Sequence, residues 1–164
     1  MAFAAAGGNL VSINKVIGTL CNEAEWSLSN LSIQKSLYLI QMFYMGHHGE
    51  PLFQEDFQAW DYGPVQPDVY HDLKMFGGGR VKPMSYLSAT STQNDNADKL
   101  IKDAAKLASQ NSAGKLVEIT HWKGGAWAKH YSPNVRGILI PKTDILAEYR
   151  TRAEGSKAKK AANA

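Results

Sequence analysis

The stretch that most constrains this chain is Ala59-Trp60-Asp61-Tyr62-Gly63-Pro64-Val65-Gln66-Pro67-Asp68-Val69-Tyr70-His71-Asp72-Leu73. Gly63-Pro64 interrupts any regular element: glycine tolerates positive φ, proline holds φ fixed, and proline disfavours the α region at the residue before it. Pro67 suits the first turn of a helix, where its missing N–H leaves no donor unpaired. Val69, Leu73 and Phe76 then recur at helical spacing, and Gly77-Gly78-Gly79 ends the element. The expected local structure is an extended approach, a rigid corner and a short amphipathic helix. Trp60 and Tyr62 flank the corner, and rings of that size either plug a core or rim a binding surface.

The rest of the chain reads as helices around this corner. Ser12 opens a first helix with Ile13, Val16, Ile17 and Leu20 as its apolar stripe. Cys21 lies beside the stripe and is expected to be a buried structural thiol. Leu31 to Met45 follows as a second helix. Ile33, Leu37, Ile40 and Tyr44 share one face, and Tyr38, Met42 and Met45 widen it, which predicts a central helix contacted on several sides. Lys35 and Gln41 are its polar exceptions and are candidates for partner contacts. Gly46-His47-His48-Gly49 reads as a loop, and Ser88 to Asp95 as a polar, mobile one. A helix capped by Asp95 or Asn96 should turn Leu100, Ala104 and Leu107 inward. Another, signalled by Asn111-Ser112, should bury Leu116 and Ile119, with Lys123 to Trp127 as the turn after it. Val135 to Ile140 is a candidate strand for pairing with Phe57–Trp60, and Thr143 or Asp144 begins a last helix. The expected fold class is therefore mainly α: a compact helical domain with a short β-hairpin or extended segment near Phe57–Trp60. Residues 1–10 are expected to be a disordered N-terminus, 11–153 the domain, and 154–164 a flexible basic tail rich in Ala and Lys.

Charge and chemistry narrow the function classes. Of 18 Lys and Arg, five lie from Arg150 onward against Glu154 alone, so residues 1–149 hold 13 basic and 14 acidic groups. A near-neutral body weighs against nucleic acid as a partner of the fold. The single cysteine excludes an internal disulfide framework and a Cys-based zinc cluster. No stretch has the apolar length of a membrane span, and the N-terminus lacks a basic n-region, so a cytoplasmic location without membrane partners is expected. Adjacent His47 and His48 rarely direct both rings at one ion, and no metal is expected there. His71, His121 and His130 sit near aromatics, but no nucleophile elbow or local catalytic signature organises them. Gly77-Gly78-Gly79 matches no phosphate-binding fingerprint. Neither catalytic residues nor a cofactor are expected, and the chain reads as a non-enzyme. Four Trp and seven Tyr, several beside Gly or Pro corners, instead suit a protein interface.

Two motifs in order carry a family resemblance. The first is Leu31-Ser32-Ile33-Gln34-Lys35-Ser36-Leu37-Tyr38. The second is Phe57-Gln58-Ala59-Trp60-Asp61-Tyr62-Gly63-Pro64-Val65, followed by Pro67-Asp68-Val69-Tyr70. A weaker third is Leu116-Val117-Glu118-Ile119-Thr120-His121 with Trp122 and Trp127. Together they resemble the SocA-like, or Panacea, antitoxin family of phage-associated proteins. Ser32 and Ser36 stand where that family often has Lys and Leu, so no charge-borne role transfers to position 32. The resemblance implies the antitoxin of a bacterial toxin–antitoxin pair, acting as an adaptor that delivers its toxin to an AAA+ protease of the ClpXP type. It further implies a toxin of the kind that targets the DNA sliding clamp. Neutralisation by binding alone and DNA-binding autorepression are the alternatives. The residues expected to bind the partner are Lys35, Tyr38, Trp60, Tyr62, Pro64, Val65, Tyr70, Trp122 and Trp127.

Overall fold

The structure is a computed structural model that describes residues 9–163; the first eight residues of the expected disordered N-terminus lie outside the described residues. Helix α1 (Ile13–Glu23) buries Ile13, Val16, Ile17 and Leu20 as its sequence predicts. Ser12 stands at its N-cap without a side-chain hydrogen bond. Cys21 is buried beside that stripe, and burial pushes its thiol up to about 12, which keeps it protonated and inert.

Helix α2 (Asn30–His48) is the axis of the fold. Ser29 caps it by accepting from Ser32 N, and Gly49 ends it in the left-handed region at φ 73°. It packs against α1 and, as described below, against the hairpin and the later helices. The expected loop at Gly46-His47-His48-Gly49 is therefore shorter than its glycines suggest. The helix continues through Gly46, whose missing Cβ leaves room for the Tyr149 ring, and it stops at Gly49, where left-handed backbone is required. Gln41 and Lys35 are both fully buried on α2. Gln41 accepts from Leu52 N at 2.8 Å and donates to Phe53 O at 2.7 Å, pinning the chain that returns after the helix.

Strands β1 (Phe57–Trp60) and β2 (Gly63–Val65) form the predicted hairpin, with Ala59 opposite Pro64 and Trp60 opposite Gly63. Further along, β3 (Leu139–Ile140) pairs with the other edge of β1, giving the order β2-β1-β3. The strand expected over Val135 to Ile140 thus narrows to its last two residues. The outer edge of β2 is closed by α2: Lys35 donates to Pro64 O at 2.8 Å, and Gln34 accepts from Gln66 N at 2.8 Å. Pro64 has no N–H to leave unpaired, so the edge exposes little to a second chain. Helix α3 (Pro67–Leu73) follows with its proline in the first turn and Gln66 as N-cap, accepting from Val69 N at 2.9 Å.

The polar segment 88–95 folds where mobility was expected. Asp98 accepts from Thr92 N at 2.9 Å and from the hydroxyls of Ser91 and Thr92, while Asn94 donates to the Tyr44 hydroxyl at 3.0 Å. Asn94, not Asp95 or Asn96, is then the N-cap of α4 (Asp95–Gln110). This helix buries Ala97, Ile101, Ala105 and Ala108, leaving Leu100 and Ala104 half-buried and Leu107 exposed. The expected Leu100-Ala104-Leu107 face is displaced by one residue. Small alanines let α4 approach both α1 and α2 closely, and a hydropathy reading that weights leucine above alanine misses that stripe.

Helix α5 (Ala113–Thr120) starts at Ser112, as predicted, and buries Leu116. The expected turn at Lys123 to Trp127 is interrupted by a short helix, α6 (Ala126–His130). Buried Glu148 makes that start possible: it accepts from Ala126 N at 2.9 Å and approaches so closely that a Cβ on Gly125 would clash with it. Glu148 also accepts from the Tyr38 hydroxyl at 2.7 Å and from Arg152 Nε at 2.8 Å. It belongs to α7 (Lys142–Ala162), which continues as a helix through residues 154–162, where the sequence suggests a flexible tail. From Glu154 onward that helix is exposed. The chain is a mainly α domain with a small antiparallel sheet. Among the described residues no helix is long and apolar enough to cross a membrane.

Candidate partner-binding site

The corner between β1 and β2 is held from three sides. Trp127 on α6 donates its indole N–H to Trp60 O at 2.7 Å. Lys35 on α2 donates to Pro64 O, and Tyr131 donates its hydroxyl to Asp61 Oδ1 at 2.6 Å. Gly63 itself has φ 105°, and a Cβ there would come within 3.1 Å of both His121 Cδ2 and Lys35 Nζ. Glycine is therefore required at this position twice over, by backbone conformation and by space. The consequence of the three grips is that Tyr62, at the tip, projects outward with 70% of its surface exposed.

Beside the tip runs a groove of about 710 Å³. Trp60 and Tyr70 form its aromatic wall, with ring centroids 4.9 Å apart and near-perpendicular planes. Gln58 fixes the Trp60 indole by accepting its N–H at 2.9 Å. Leu31, Val65 and Val135 add apolar surface; Asn30, Gln34 and Gln58 add hydrogen-bonding groups; Lys74, Arg136 and Asp61 add charge. An aromatic floor with polar groups and mixed charge at its edge is the chemistry of a protein-binding surface.

The sequence-predicted residues divide into those on this surface and those behind it. Trp60, Tyr62, Val65 and Tyr70 all line the groove. Pro64, Lys35 and Tyr38 are buried beneath it. Their side chains are engaged inside the fold: Lys35 holds the corner, and Tyr38 is engaged by Glu148. Trp127 braces the corner from below. Trp122 lies apart, with the Arg152 guanidinium 4.7 Å above its ring, so the structure does not bring it to the groove. Asp61 and Arg136 at the groove, and Tyr131 behind it, carry no signal in the sequence that points to this place. Asp61 and Tyr131 meet across 70 positions of sequence, and no local pattern marks the pair.

The three histidines near aromatics occupy separate settings. His71 is exposed at the groove, its ring 6.5 Å from that of Trp60. His130 pairs with Asp144, whose carboxyl is held below its usual range chiefly by that contact. His121 stacks on Trp127 at 3.8 Å with an interplanar angle of 4°. Burial, then the neighbouring Lys35 charge, lower its pKa. Thr120 beside it spends its hydroxyl on Leu116 O and Val117 O, which leaves it unprepared as a nucleophile. His47 and His48 stand exposed in the last turn of α2, against Tyr149 and Tyr44 respectively.

The family described as antitoxin SocA-like, Panacea domain, matches residues 33–128, a span that contains most of α2, the hairpin, the groove's aromatic wall and α5. The antitoxin SocA of Caulobacter vibrioides is 29% identical over 109 residues, covering 61% of this chain and 58% of that protein. The chain thus spans little more than half the length of that relative. No solved structure matches the chain. With more than half of its length matched, from the buried axis to the clamped corner, the chain belongs to the SocA-like antitoxin family of Panacea domains.

Proposed function

We propose that this protein is the antitoxin of a two-component pair and captures its cognate toxin, a protein, at the groove beside the Tyr62 tip. The observation that carries the reading is the clamped corner: three separate elements hold a turn whose outermost side chain is a bare tyrosine beside an aromatic groove. Rigid rings presented this way lose little conformational freedom on docking. Family membership and the name of the Caulobacter relative supply the class of partner. The adaptor reading extends this: the chain hands the captured toxin to an AAA+ protease of the ClpXP type, in the cytoplasm. The toxin of this reading acts on the DNA sliding clamp. The exposed basic end of α7 is the element available to a second partner, and tethering raises the toxin's local concentration at the protease.

The test is co-expression and pull-down with the product of the neighbouring small reading frame, using wild type, Tyr62→Ala and Trp60→Ala. Tyr62→Ala should stay folded and lose at least about tenfold in affinity, the scale of a truncated aromatic hot spot. Normal capture by both folded variants removes the groove as the docking surface. Toxin turnover by purified protease with and without the antitoxin separates an adaptor from a simple blocker. A salt-dependent mobility shift on operator DNA would favour autorepression instead.

A further inference from the structure

Behind the corner lies a cluster that docking leaves unexplained. Lys35 Nζ is fully buried and donates to one acceptor, Pro64 O. Among the described residues no carboxylate stands within ion-pairing distance of it. Its titratable neighbour is another base. His121 Cδ2 and Lys35 Nζ both reach within 3.1 Å of the point a Gly63 Cβ would occupy, with Thr120 Oγ1 at 3.2 Å. His121 Nε2 is buried and has no hydrogen-bond partner among the described residues. The same ring lies flat on Trp127, which holds Trp60 O. The two carbonyls that bracket the corner are thus gripped by Trp127 and Lys35, and His121 lies against both grips.

We propose that Lys35 and His121 form a proton-controlled strut that positions the Trp60–Tyr62 corner. Its purpose rests on the docking reading, but the strut itself is a property of the free chain. While the pair holds at most one proton, a single charge sits against the Pro64 carbonyl. A second proton sets two like charges together in a site without a counter-ion. The corner must then open to admit water. Burial lowers the Lys35 ammonium to about 7. Burial and the Lys35 charge lower His121, and a hydrogen bond to the Tyr62 backbone opposes them. Acidification therefore loosens the corner.

Charged groups on the surrounding elements are occupied elsewhere. Glu148 on α7 is held by Tyr38, Ala126 N and Arg152. Asp61 at the hairpin is held by Tyr131. His71 on α3 is exposed, Lys15 and Glu23 of α1 face solvent, and so do Lys99, Lys102, Asp103 and Lys106 of α4.

The test is an NMR titration of the free chain, following the lysine Nζ and histidine ring signals together with amide protection at residues 61–64, corrected for the intrinsic exchange rate. Lys35 should titrate near 7, well below an ordinary lysine. Protection of the corner should fall by about tenfold or more as His121 takes its proton, reporting a local opening. In Lys35→Met the His121 midpoint should rise toward its ordinary value, and the pH dependence of corner protection should flatten. A Lys35 that titrates like a surface lysine overturns the strut. So does corner protection that stays constant with pH, or a His121 midpoint unmoved by Lys35→Met. If that variant does not fold, the wild-type titration decides alone. A strut that titrates as stated in a chain that captures no toxin overturns the docking reading and leaves this one standing.

Discussion

Two buried ionisable groups meet at α2, Glu148 reaching it from α7 and Lys35 carried on the helix itself, and the fold treats them in opposite ways. On the α7 side, Glu148 is satisfied by the Tyr38 hydroxyl, the Ala126 amide and the Arg152 guanidinium. On the hairpin side, Lys35 has one carbonyl and a neighbouring base. A buried charge with complete partners is locked, since losing any one strands the others. A buried charge with one neutral partner sits near neutrality and can be moved by a proton. The difference separates a permanent joint, which fixes α6 to α7, from an adjustable one, which sets the surface where we place the partner.

Glu148→Ala should break the permanent joint and have the largest effect. It strands Arg152, Tyr38 and the first amide of α6, and breaking a buried pair from one side costs about 3 kcal/mol or more. Urea denaturation reads this directly; a loss under about 1 kcal/mol would mean that water replaces the carboxylate and that the joint is not closed.

Gly63→Ala attacks the adjustable side through its backbone. Positive φ and three close atoms should together cost about 1–3 kcal/mol. Thermal unfolding measures the cost. The comparison sharpens if toxin capture by folded Gly63→Ala falls further than the stability loss explains.

The pH dependence of stability tests the adjustable joint. The folded-state pKa of Lys35, about 7, lies below its unfolded value of 10.5, so the unfolded chain binds more protons between them. Stability should rise with pH from about 7 to 9, at up to about 1.4 kcal/mol per unit from this group. His121, also lowered, contributes in the same direction just below its ordinary value. Denaturation midpoints at several pH values, in wild type and Lys35→Met, test this; a slope preserved in the variant assigns the effect to other groups.

Tyr62→Ala should give the smallest stability change, within about 0.5 kcal/mol, because the side chain covers nothing buried. A larger loss would make the tip part of the scaffold and blur the division between surface and support.

Much of this organisation was legible in the chain. The stop at Gly63-Pro64, the helix start at Pro67 and the broad apolar girth of α2 are local or periodic signals, and each leads to its element. Trp60, Tyr62 and Tyr70 line the groove, since large rings beside a corner have few places to go. Lys35 and Tyr38 turn inward instead. A lysine or tyrosine on an apolar helix can reach solvent or turn inward, and only the partners across the fold decide. Pro64 O and Glu148 lie 29 and 110 positions away from them in sequence. The α4 stripe was displaced because alanines pack at close range without a strong hydropathy signal.

By itself the sequence determined where the backbone must turn, which helix is wrapped by others and which rings stand at the corner, because φ preferences and apolar periodicity act over a few residues. The tertiary structure alone decided which polar groups are buried and what each one touches. Hydrogen bonds and charges are satisfied by whatever side chain the fold delivers, from any distance along the chain, and their cost depends on how completely water is excluded around them.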